Sequence, residues 1–137
     1  MSGRERAAAL LARAAEDEAL LDAVLDLPSV SDAVFGFHCQ QAVEKLLKAV
    51  LAHAEVVFRR THDLAELLDL ATDSGIPVEP GLDAVRVLTP YAVDYRYGVL
   101  EPDADERAIL DRTASRELVR RLRAWAEVRI GACPPPA

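Results

Sequence analysis

Cysteine is scarce in this chain of 137 residues, and the two present, Cys39 and Cys133, lie far apart with no paired spacing. That excludes a disulfide framework and a zinc knuckle and leaves two free thiols. Long apolar runs are missing too: no stretch approaches the roughly 18 residues that span a bilayer, so no membrane partner is expected. The alanine-rich N-terminal segment is soon broken by Arg13, Glu16, Asp17 and Glu18 and lacks the uninterrupted apolar centre of a signal peptide, which points to a cytoplasmic location. There is no glycine-rich phosphate loop, no serine elbow, and no pair of histidines four apart on one helix face. These absences set aside most catalytic classes. His38, Cys39, His53 and His62 match no ordinary zinc spacing, so neither a metal nor a cofactor is expected. A surplus of positive charge is also lacking. The net charge of -7 repels a nucleic-acid backbone over most of the surface and argues against DNA binding, although a local basic patch can still engage RNA.

What is present is helical periodicity. The length suits one domain that buries about two thirds of the surface its unfolded chain exposes. Leu11, Ala14, Ala15, Leu21, Val24 and Leu25 recur at helical spacing over about Arg4 to Asp26, with acidic residues on the other faces. A short break follows, where Ser31 or Asp32 can cap a second, antiparallel helix running to about Glu55. Its apolar face comprises Phe35, Cys39, Ala42, Val43, Leu46, Val50 and Ala54. Asp63 with Glu66 has the form of a capping box and opens a third helix to about Thr72. A breaker-rich connection leads to a fourth helical segment with Leu82, Val85 and Leu88 inward, which must kink or restart at Pro90 and ends at Gly98. Asp103 with Glu106 predicts the start of a last helix to about Ile130, with Leu110, Ala114, Leu118, Leu122 and Trp125 as its buried stripe. The expected fold is therefore all-α, an antiparallel up-and-down bundle of four to five helices over residues 1–132, followed by a loose proline-rich tail, 133–137.

Three surfaces are candidates for chemistry. On the second helix, His38, Gln41, Lys45 and Lys48 form a polar stripe within about 80° of arc, either a solvated margin or a donor-rich surface for phosphate or acidic groups. Further on, Tyr91, Tyr95 and Tyr97 crowd around Arg96. Tyrosine rings can stack on bases while a guanidinium grips phosphate, although tyrosines four apart also pack together simply as core. In the last helix, Arg112, Arg116, Arg120 and Arg123 share one face, as a charged exterior or as a dock for RNA or a partner.

Phe35 followed by the Gln41-Ala42-Val43-Glu44-Lys45-Leu46-Leu47-Lys48 block resembles the signature helix of HEPN domains. The family's next two blocks, a His-Asp-Leu step and a Tyr-x-x-x-Arg-Tyr segment, stand in order at His62-Asp63-Leu64 and at Tyr91 with Tyr95-Arg96-Tyr97. The resemblance spans about Val34 to Gly98. It implies a helical bundle that commonly forms a homodimer and works beside a separate minimal nucleotidyltransferase, as a substrate-binding subunit or as the toxin of a toxin-antitoxin pair. Many members are metal-independent ribonucleases with an Arg, four to six residues, then His. This sequence departs from that motif, because no histidine follows His62 and Arg96 is followed at those distances by Glu101 and Pro102. RNA cleavage through the 2′-OH needs a proton carrier as well as a charge stabiliser. Arg96 suits only the second role. The expectation is a non-catalytic or weakly active subunit that binds nucleotide or RNA through Arg96, Tyr95, Tyr97 and Tyr91 together with the stripe. The alternatives are a ribonuclease toxin that recruits His38 or His62, and a helical interaction module without nucleotide chemistry.

Overall fold

A computed structural model describes residues 1–92 and 110–131. Those residues form α1 (Gly3–Val24), α2 (Asp32–His53), α3 (Leu64–Asp73), a 3₁₀ helix (Leu82–Leu88) and α4 (Arg112–Arg129), with no strand among them. The fold is all-helical, and no described helix is long and apolar enough to cross a membrane.

α2 is the central element. Thirteen of its 22 residues are buried, so it has partners on nearly every side. Ser31 caps it by accepting from the Val34 N–H at 3.2 Å. Every residue of the expected apolar face is buried except Ala54, which lies just past the helix end and is exposed. α1 runs antiparallel to α2. Its inner line is Ala7, Ala14 and Leu21, two turns apart, and small residues let the backbones close up. A Cβ at Gly3 would stand 2.3 Å from the Ala52 carbonyl oxygen. Ala15, expected inside, is exposed, whereas Asp17 and Glu18, expected outside, are buried.

Asp17 is met by Lys45 and His38 of α2, and Glu18 by α4. Arg116 bonds Asp22 at 2.6 and 3.1 Å and stands 3.6 Å from Glu18, while Arg123 reaches Glu18 at 2.6 Å and the Leu11 carbonyl at 2.9 Å. Arg112 bonds Asp32 at 2.8 Å, donates to the carbonyls of Val24, Leu27 and Val30, and lies over the Phe35 ring. Of the four expected surface arginines, these three are spent on the chain's own α1 and α1–α2 loop. Only Arg120, half-exposed on Glu117, resembles a solvated exterior.

Two expectations about caps also change. α4 does not extend back to Asp103: Asp111 is extended and its side chain accepts from the Ala114 N–H at 2.9 Å, so the helix opens at Arg112. Ala114 is accordingly exposed, and the buried line runs through Val119, Leu122, Trp125 and Ala126, with Leu110 and Leu118 partly covered. Asp63 caps α3 by accepting from Ala65 and Glu66, but the reciprocal half of a capping box is missing. The Asp63 N–H goes to Thr61, and Arg59 takes the Glu66 carboxylate at 2.8 Å.

After α2 the chain returns alongside it as a non-helical stretch, 54–63, and α3 then packs on α2. The 3₁₀ helix buries Leu82, Val85 and Leu88, and α-helix restarts at 89–92 with Pro90 in its first turn, where a missing N–H is harmless. Trp125 closes that side by donating to the Pro77 carbonyl at 2.9 Å. The expected end of this segment at Gly98, the Asp103–Glu106 cap, Cys133 and the 133–137 tail lie outside the described residues.

Candidate functional site

Rotation of about 100° per residue places Gln40, Glu44, Lys48, Gln41, Lys45 and His38, in that order, along one continuous arc of α2 beside its apolar face. The structure turns this arc into two carboxylate-centred clusters. Asp17, from α1, receives Lys45 Nζ at 2.6 Å and His38 Nδ1 at 2.9 Å. Glu44, on α2 itself, receives Lys48 Nζ at 2.9 Å, Gln40 Nε2 at 2.9 Å and His62 Nδ1 at 2.7 Å. Gln40 also donates to the His62 carbonyl at 3.1 Å, and Gln41 donates to Gln40 at 2.7 Å. The polar stripe is therefore wired into the molecule rather than being a solvated margin.

Each cluster joins an anion to a lysine, which balances its charge, and to an imidazole, whose orientation it fixes. An ionised carboxylate only accepts, so Nδ1 of both rings carries a hydrogen and Nε2 is the basic nitrogen. Burial pushes the Glu44 carboxyl up, but the bonds from Gln40, Lys48 and His62 and the Lys48 charge outweigh it and hold it below its ordinary value. The histidines differ in access. The His62 side chain is 47% exposed, against 23% for His38. His38 rests edge-on to Phe37 and borders an apolar pocket of about 80 Å³ with Leu20, Val24 and Val34 among its walls.

Tyr91 packs at the N-terminal end of α2. A Cβ at Gly36 would fall 2.3 Å from its ring, so only a glycine leaves room for the tyrosine to lie on the helix backbone. Tyr95, Arg96 and Tyr97 lie outside the described residues. Among the sequence candidates, then, His38, Gln41, Lys45 and Lys48 share one side of α2, and Tyr91 lies near its start. Three members of the site were not singled out from sequence: Asp17, Gln40 and Glu44. The last two had a signal, since polar residues at 40, 44 and 48 form an i, i+4 ladder on a helix otherwise buried.

Cys39 is inside the core, and burial pushes its thiol up to about 12, so at neutral pH it is a small apolar filler rather than a nucleophile. Among the described residues no three of the His, Cys, Asp and Glu side chains gather as a metal site.

Compared with known proteins, residues 7–128 match the family model of the HEPN domain. No curated protein and no solved structure matches the chain.

Proposed function

The chain belongs to the HEPN domain family, and on that premise we propose that it is a binding subunit with little or no catalytic power, engaging a nucleotide or RNA beside a separate minimal nucleotidyltransferase. The observation that carries this reading is the missing half of the family's ribonuclease pair: no histidine follows Arg96 anywhere in the chain. Without it, Arg96 supplies charge stabilisation and phosphate grip but no proton transfer. The binding groups are Arg96 with Tyr91, Tyr95 and Tyr97, together with the His38, Gln41, Lys45 and Lys48 stripe, whose lysines are already matched to carboxylates and so hold their shape instead of collapsing onto a ligand. The functional form is a homodimer in the cytoplasm.

The test is a titration of the full chain with ATP and with a short single-stranded RNA, followed by co-purification with a co-expressed minimal nucleotidyltransferase. Saturable binding that Arg96→Ala weakens about tenfold, as loss of a two-pronged phosphate contact should, supports the proposal. An isolated monomer that binds neither nucleotide nor partner contradicts it.

One observation favours a second reading, an endoribonuclease toxin. His62 is held through Nδ1 by a buried carboxylate and is about half exposed, which is how a general base is oriented in hydrolases. In that case His62 replaces the absent motif histidine, and RNA cleavage disappears in His62→Ala as well as in Arg96→Ala.

A further inference from the structure

Most of the described arginines are neutralised within this fold. Arg13, Arg59, Arg86, Arg112, Arg116, Arg120, Arg121 and Arg123 each stand within 4.0 Å of a carboxylate. Arg4, Arg6, Arg60 and Arg129 have no such partner among the described residues; Arg6 lies over the Phe58 ring, whereas Arg4 and Arg129 meet in one place. With His53 they line an open cleft of about 390 Å³ whose remaining walls are Ala8, Leu11, Ile130 and Gly131. Among the described residues no acidic side chain lines it. The volume is within the roughly 300–1,000 Å³ of small-ligand sites.

Helix dipoles account for only part of this. His53 and Arg129 occupy the last turns of α2 and α4, where a cation is favoured whichever way its side chain leaves the helix. Arg4 lies in the first turn of α1, the end where a cation is disfavoured. Neither effect requires two guanidinium groups and an imidazole from three helices to line one concavity with an apolar floor. In a chain of net charge -7, such a spot also stands out against a repulsive background for any anion.

The geometry points to a second binding site in this cleft, for a small phosphate ester. Two guanidinium forks and an imidazole match a phosphate dianion better than a singly charged carboxylate. Ala8, Leu11 and Ile130 offer the apolar surface on which the body of the ester rests. The cleft lies away from Tyr91, one of the groups of the proposed function. His53 follows Gly36, on which Tyr91 packs, by 17 positions of α2, which at 1.5 Å per residue is about 25 Å along the helix.

Calorimetric titration of the full chain at low salt with phenyl phosphate, glucose 6-phosphate, inorganic phosphate and phenol tests this, the esters being free of any nucleobase. Expected is saturable binding of at least one ester, with phenol and free phosphate each at least about tenfold weaker, since each lacks one half of the recognition. Arg4→Gln and Arg129→Gln should each lower affinity by about tenfold, and Ala8→Trp, which keeps every charge but fills the cleft, should abolish binding. Circular dichroism verifies that each variant is folded. Arg96→Ala should leave this binding unchanged, so that failure of the proposed function and failure of this site are distinguishable. The inference is overturned if no ester binds saturably up to about 10 mM, below the weak end of specific affinity. It is equally overturned if binding survives Ala8→Trp, is lost in Arg96→Ala, or is as tight for free phosphate as for the esters.

Discussion

Asp17 and Glu44 are built alike and do different things. Both are nearly buried carboxylates, and both take one lysine ammonium and the Nδ1 of one histidine. Asp17, however, joins two long helices, its partners lying 21 and 28 residues away on α2, and the histidine it holds is largely covered. Glu44 draws two partners from its own helix, four residues either side, and its third from the stretch that leads into α3. The first is a clamp between elements already packed together. The second secures a return segment that makes little helix of its own, and in doing so presents a half-exposed imidazole. The same chemistry thus serves the scaffold in one case and the placement of a half-exposed imidazole in the other.

The most damaging change should be Glu44→Ala, which strands Gln40, Lys48 and His62 at once and should cost about 3 kcal/mol in a urea or thermal unfolding experiment. It should also shift the imidazole resonances of His62. Asp17→Ala should cost somewhat less, about 2 kcal/mol, because Lys45 can turn to water, and should leave His62 undisturbed. If Asp17→Ala moves His62 as far as Glu44→Ala does, the two clusters are one unit and the comparison fails. Gly36→Ala comes next: it places a methyl group inside the Tyr91 ring, and the overpacking should cost about 1–2 kcal/mol and displace Tyr91 while sparing both clusters.

Acid sharpens the comparison further. Glu44 is held below its ordinary value of 4.5, so above that pH the unfolded chain binds no more protons at this group than the folded one, and its stabilisation is fully present. As pH falls from 4.5 through the folded value, the unfolded state takes up the proton first and stability declines. Glu44→Gln should therefore be less stable than the wild type at pH 7, with the gap closing as pH drops through that window in an unfolding series. The smallest effect belongs to Arg59→Ala, whose exposed bond to Glu66 should leave the melting temperature within its measurement scatter.

The first three helices were legible because their signals are local. Ser31 and Asp63 cap where a side-chain oxygen precedes an apolar pattern, and Phe35 to Val50 keep one face at helical spacing. The start of α4 was not, since Asp111, which caps it, has Ala114 rather than a Glu or Gln three residues on, whereas Asp103 with Glu106 carries the fuller capping pattern in the sequence. The burial of Asp17 and Glu18 was likewise hidden. Acidic residues on an alanine-rich helix look solvated, and the arginines on which Glu18 closes, Arg116 and Arg123, lie 98 and 105 positions further along the chain. Of the candidate site, the donors His38, Gln41, Lys45 and Lys48 could be placed on one side of α2 from rotation alone. Glu44 could be placed there too, in the ladder with Gln40 and Lys48, but Asp17 could not, because it belongs to another helix.

The role proposed for this chain is binding without cutting. Its most direct test is to incubate the purified full chain with a labelled single-stranded RNA at neutral pH and follow both retention and integrity. RNA that is retained saturably and stays intact, in wild type and in His62→Ala alike, is the predicted result. Cleavage by the wild type that disappears in His62→Ala would contradict it and show that the imidazole on Glu44 has taken over the missing histidine's role.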